Sequence, residues 1–176
     1  MSVAGAGPPL PGAVKDEQSV TADWVVLQEP IEGVRLIEVR NVLRDTGLVT
    51  EILRSDWFDS PPEVDQIFQL TLEPGALTAW HVHMHTTDRL FVSTGQAKIV
   101  LYDGRPGSPT HGRLNEFRLG ERRPGLLVLP AGVWHGVKNL GSAPGTVVNI
   151  VDFAYRYEDP DHWRLPPDSP EIPYSW

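Results

Sequence analysis

Between Gly75 and Gly95 the chain reads G-A-L-T-A-W-H-V-H-M-H-T-T-D-R-L-F-V-S-T-G, so His81, His83 and His85 alternate with Trp80, Val82 and Met84. On a β-strand successive side chains point to opposite faces, and this spacing sends all three imidazoles to one side. A carboxylate, Asp88, follows a short polar break, and a fourth histidine, His135, comes after the Pro130-Ala131-Gly132 turn. Neutral imidazoles and carboxylates ligate divalent metals, and imidazole is also the side chain best matched to general-base work near neutral pH. His81, His83, Asp88 and His135 therefore read as ligands for one divalent ion of the Zn, Fe, Mn or Ni class. Burying several unpaired imidazoles without such a role would be costly. His85 shares their parity but lies nearer the turn, which leaves a ligand, a base or an exposed residue open. Trp80, Phe91 and Trp134 flank the site in sequence; packing is their default role and stacking on a substrate the second. His111 and His162 fall in loops and read as surface residues.

The elements that would carry these residues are short β-type runs separated by Gly, Pro, Asp and Asn. They are Trp24–Gln28, Val34–Val42, Val49–Leu53, Gln66–Leu72, Leu77–Met84, Arg89–Ser93, Ala97–Tyr102, Glu116–Leu119, Leu126–Leu129, Trp134–Lys138 and Thr146–Phe153. No stretch keeps a 3.6-residue period, so the chain is all-β, a sandwich or barrel, and two Greek keys would make it a jelly roll. Residues 1–22, rich in Gly, Ala and Pro, read as a flexible lead-in to one domain over 23–157. The tail over 158–176 mixes prolines with Trp163, Tyr174 and Trp176, which excludes regular helix or a central strand and suggests packing across the body or a partner.

Composition narrows the function. At 176 residues, 40% hydrophobic and 22% charged, the chain fits one globular domain. It has no cysteine, hence no disulfide or thiolate site, in keeping with a reducing cytoplasm. No apolar run is long enough to span a membrane, and the first twenty residues lack the apolar core of a signal peptide. A net charge of −8 without a basic cluster argues against nucleic acid. A small anionic substrate stays open, because a few placed arginines suffice.

The two histidine segments resemble the signature motifs of the cupin superfamily. The first has the form Gly, five residues, His-x-His, three or four residues, Glu, six residues, Gly; Gly75, His81, His83 and Gly95 fall in register, with Asp88 in place of Glu. Gly125, Pro130, Gly132, His135 and Asn139 follow the second motif with one spacer residue fewer. The resemblance implies a double-stranded β-helix, the cupin jelly-roll barrel, and a homodimer whose sheets exchange an N-terminal strand.

A longer resemblance runs from Val49 to Trp176, to the dTDP-4-dehydrorhamnose 3,5-epimerase family within that superfamily. It rests on Leu77-Thr78-Ala79-Trp80-His81, the loop Tyr102–Gly112 with its D-x-R-x-G-S-P-T-x-G pattern, Leu129–Gly136, and the ending Trp163–Trp176. The resemblance implies abstraction of an acidified C–H beside the carbonyl of a 4-keto-6-deoxy hexose linked to a nucleoside diphosphate. His81 would be the base and Asp168, displaced by about one position, its carboxylate partner. Arg89 falls near a lysine that polarises the keto oxygen in substrate binding, and Tyr155 near the tyrosine that returns the proton. No metal is needed in that mechanism.

The chain departs from the family in three ways. Thr78-Ala79-Trp80 replaces an Arg-Gly pair whose arginine contacts the diphosphate, the tyrosine expected on the strand through Asn149 is absent, and His83 and His85 are additional. Three functions are consistent with these residues. The first is the sugar-nucleotide epimerase or isomerase. The second is a metal-dependent oxygenase, isomerase or lyase using His81, His83, Asp88 and His135. The third is a non-catalytic sugar- or nucleotide-binding cupin.

Overall fold

The computed structural model describes residues 10–23 and 25–176. Trp24, at the head of the first expected strand, and residues 1–9 of the lead-in lie outside the described residues. The strands are β1 (Arg35–Glu38), β2 (Asn41–Arg44), β3 (Gly47–Thr50), β4 (Gln66–Leu72), β5 (Leu77–Val82), β6 (Asp88–Thr94), β7 (Gln96–Asp103), β8 (Leu114–Gly120), β9 (Gly125–Leu129), β10 (Val133–Asn139), β11 (Gly145–Val151) and β12 (Trp163–Arg164). One 3-10 turn, Ser55–Trp57, is the only helical element among the described residues. Among the described residues no helix is long and apolar enough to cross a membrane.

Two five-stranded antiparallel sheets face each other, in the orders β1-β9-β6-β11-β4 and β12-β5-β10-β7-β8. From β4 onward every pair of consecutive strands except the β7–β8 hairpin crosses between the sheets, which is the jelly-roll wiring. Leu90, Val92, Ile99, Leu101, Leu127, Leu129 and Val147 meet between the sheets and form the main core. Each outer face is covered as well. Phe91, Leu126 and Val128 sit under Val39, Ile52, Leu53 and Phe58. On the other sheet Trp80 and Val100 lie under Leu165, Ile172, Tyr174 and Trp176 of the tail. Strands buried on both faces read as continuous apolar runs, and Leu126–Leu129 and Ile99–Leu101 do so.

Three sequence readings change in the fold. The run Val34–Val42 is two strands, because the chain leaves sheet pairing at Val39 and begins a separate hairpin, β2 with β3. Around Trp24–Gln28 there is only an isolated bridge, Val20 with Val26. The tail contributes β12, a two-residue edge strand on β5, where prolines on either side cost no ladder bonds.

The loop after β7 explains its own sequence. Asp103 is fully buried and accepts hydrogen bonds from Arg105 Nε at 2.8 Å, Arg105 Nη2 at 2.9 Å and Ser108 Oγ at 2.6 Å, with Thr110 Oγ1 as a further donor. Burial would raise the carboxyl pKa, but these donors outweigh it and hold the group below the usual carboxylate range. The D-x-R-x-G-S-P-T pattern is thus a loop closed around one carboxylate. Gly136 has an equally local reason: a Cβ there would sit 2.5 Å from both the Ala79 Cβ and the Trp176 ring. Only glycine lets the tail lie flush on β10.

Candidate active site

The site forms where β5 and β10 face β4, β6 and β11. His135 pairs with His81 and Val137 with Thr78, so Ala79 and Trp80 together oppose Gly136. This bulge inserts one residue and re-aims the side chains. Thr78 and His81 both face the interior, while Ala79 and Trp80 both face the tail.

Two adjoining cavities open between the sheets. One, of about 230 Å³, is lined by Phe68, Thr78, His81, His135, Asn149 and Arg164 among others. The second, of about 260 Å³, has Asp88, Tyr155 and Asp161 on its walls. Phe68, His83 and His162 border both.

The histidines divide into two clusters. In the first, His81 is buried, its Nδ1 lies 2.8 Å from His162 Nε2, and its Nε2 meets Thr78 Oγ1. Burial lowers the His81 pKa to about 3, helped by the neighbouring His135, His162, Arg164 and His83. His162 is lowered to about 4, again chiefly by burial, then by His83 and Arg164. Both rings are neutral near pH 7, the form a base requires.

In the second cluster, one ligand atom from each of His83, Asp88 and His135 lies within 4.8 Å of the others. His83 Nε2 is 3.8 Å from Asp88 Oδ2. The far side of each group is held in place. His83 Nδ1 bonds the Asp161 carbonyl, His135 Nδ1 is 3.3 Å from the Val133 carbonyl, and Asn149 Nδ2 donates to Asp88 Oδ1 at 2.7 Å. Burial lowers the His135 pKa. Such outer partners orient metal ligands, and carbonyl-bound Nδ1 atoms leave Nε2 free. These three residues fit a divalent ion. His81 belongs to the other cluster, with both ring nitrogens occupied.

The remaining expected residues are placed elsewhere. Arg89 lines neither cavity; next to inward-facing Asp88 it points to the opposite face, where it reaches Asp152 at 3.5 Å. Phe91 shares that outer face, and Trp80 and Trp134 lie on the outer face of the other sheet. Asp168 is in the tail, beside a surface depression formed by residues 167–176, and lines neither cavity. Tyr155 stands half-exposed at the cavity mouth. His85 and His111 are exposed.

Sequence reasoning missed Asp161, His162 and Arg164. The Asp161 carboxylate accepts from Met84 N and His85 N, both at 2.8 Å, and from Thr86 Oγ1 at 3.1 Å. These bonds outweigh the effect of burial and lower its pKa. They tie the tail to the β5–β6 turn, so that His162 enters the site. Two polar side chains directly before a two-residue extended segment, Trp163-Arg164, were the available signal.

Residues 28–176 match the family model for dTDP-4-dehydrorhamnose 3,5-epimerase. Agl13 of Haloferax volcanii, described as a probable low-salt glycan biosynthesis epimerase, is 34% identical over 144 residues, covering 80% of this chain and 92% of its own. The spore coat polysaccharide biosynthesis protein SpsL of Bacillus subtilis is 34% identical over 146 residues, covering 83% and 96%. The crystal structure of a dTDP sugar isomerase from Desulfovibrio desulfuricans superposes with a TM-score of 0.76 at 36% identity, covering 83% of this chain and 92% of that one. With its bulged histidine strand and closed Asp103 loop on a jelly roll, the chain belongs to the dTDP-4-dehydrorhamnose 3,5-epimerase family.

Proposed function

We propose that the protein is an isomerase that epimerises a 4-keto-6-deoxy hexose linked to a nucleoside diphosphate. The observation that carries this reading is His81: a buried, neutral imidazole on the cavity wall, oriented by His162 and Thr78 within the family scaffold. With Nδ1–H donated to His162 Nε2, the lone pair of His81 Nε2 accepts from the Thr78 hydroxyl, and when that hydroxyl turns to the bound substrate Nε2 removes the proton next to the carbonyl. His162 takes the orienting place expected of Asp168. Tyr155, across the cavity mouth, is the group that returns a proton to the opposite face. The test is solvent-deuterium uptake at the carbon that loses its proton, with dTDP-4-keto-6-deoxyglucose in heavy water. Tight sugar-nucleotide binding without uptake would instead identify a non-catalytic binder.

A second reading, that the site also holds a metal, is favoured by the geometry of His83, Asp88 and His135. A divalent ion there would supply Lewis-acid stabilisation of an enolate oxygen, the role for which Arg89 is misplaced. Elemental analysis is then expected to find close to one divalent ion per chain, absent from His83→Ala. Metal-free protein that also fails to bind added Zn²⁺ or Mn²⁺ rejects this reading.

The assembly is a homodimer. The outer edge of β4 is unpaired among the described residues, its Ile67 and Phe68 are exposed, and the β2–β3 hairpin displays Leu43 and Leu48. Bare strand edges and apolar faces of this kind call for a partner, and a second copy supplies one by symmetry. Light scattering is expected to give twice the 19.5 kDa chain mass; a monomeric mass at micromolar concentration contradicts the dimer.

A further inference from the structure

The two cavities differ in charge. The 260 Å³ cavity carries Asp88 and Asp161 and no Lys or Arg. The 230 Å³ cavity carries no carboxylate, and Arg164 is the single Lys or Arg among the described residues that line either one. Arg164 lies directly opposite His81 in the β12–β5 pairing, and opposed residues on antiparallel strands project to the same face. Its guanidinium therefore shares the face of the base. Its backbone is held on the C-terminal side by the exchange between Trp80 and Leu165, N–H to carbonyl at 2.8 Å and 3.1 Å. Unlike Arg105, Arg113 and Arg123, Arg164 forms no ion pair with an acid among the described residues. Thr78 and, from the facing sheet, Gln69 add polar groups to the same cavity.

We propose that Arg164 is the diphosphate-binding residue of this site, holding the anionic end of the sugar nucleotide at β12. The inference rests on the proposed epimerase reading for the identity of the anion. An anionic ligand in a chain of net charge −8 needs a local cation, and a guanidinium binds phosphate oxygens in a bidentate fork. Without a bound cation the acidic second cavity repels the same group, so the charge division also sets ligand orientation: diphosphate toward β12, sugar toward His81. Arg164 is exposed and without an acidic partner, so its replacement leaves no buried charge behind.

Titration calorimetry of the full chain with dTDP and with thymidine tests this. Arg164→Gln is expected to weaken dTDP binding about 10- to 100-fold, the range of one charge-assisted contact. It leaves thymidine binding unchanged, which also reports an intact fold. Arg164→Lys recovers part of the loss, and the salt dependence of dTDP binding is shallower in Arg164→Gln than in the parent. Equal dTDP affinity in Arg164→Gln and the parent overturns the assignment while leaving the epimerase reading in place. A parent protein that binds no dTDP overturns both. One that binds dTDP through Arg164 but exchanges no sugar proton keeps the diphosphate site and removes the reaction.

Discussion

Replacing His81 by asparagine is expected to lower the rate of substrate deuterium exchange by about 10²- to 10⁴-fold, the usual contribution of a positioned general base. Asparagine keeps a polar group beside Thr78 and removes the imidazole lone pair, so the thermal midpoint should move far less than the rate. His162 acts through His81, and its variants separate positioning from packing. His162→Phe fills the same space without an acceptor for His81 Nδ1–H, lowering kcat with little change in KM. His162→Gln restores an acceptor and recovers part of kcat. Equal rates in His162→Phe and the parent would show that the 2.8 Å contact does not orient the base.

Trp80→Ala is expected to destabilise the protein by about 3–5 kcal/mol, the cost of deleting a large buried aromatic side chain. Trp80 has no exposed surface and packs against Trp176 with ring centroids 4.9 Å apart and Tyr174 at 6.0 Å. Loss of this contact loosens the tail, which carries His162 and Arg164 into the site. Trp80→Phe should cost much less, since the indole N–H is buried without a hydrogen-bond partner and there is no such bond to lose. Urea midpoints measure both changes. A Trp80→Ala protein with an unchanged midpoint and a raised KM would return Trp80 to substrate stacking.

Much of this site is legible in the sequence. The strand Gln66–Leu72 appears in the fold with the same bounds, and the alternation of His81 and His83 places both inside. Strand parity also accounts for the residues that do not reach the cavity. Trp80 precedes His81, Arg89 follows Asp88, and Trp134 precedes His135, so each neighbour of an inward group faces out. Flanking a site in sequence on a strand is an argument against flanking it in space. The bulge opposite Gly136 was not legible, because it depends on pairing with β10, and it brings Thr78 inward. His162 and Asp161 were hidden for a different reason. Their place is set by a Pro-rich tail that returns over the sheet, and no local period reports where such a segment lands. Asp168 lies beyond the end of β12, where the tail has already moved to the outer face.

The most direct measurement is incubation of the parent protein with dTDP-4-keto-6-deoxyglucose in heavy water, followed by mass spectrometry and proton NMR of the recovered sugar. Uptake of deuterium at a carbon beside the carbonyl, at a rate that collapses in His81→Asn, is the predicted result. Bound substrate that keeps all its protons would contradict the assignment of His81 as a base.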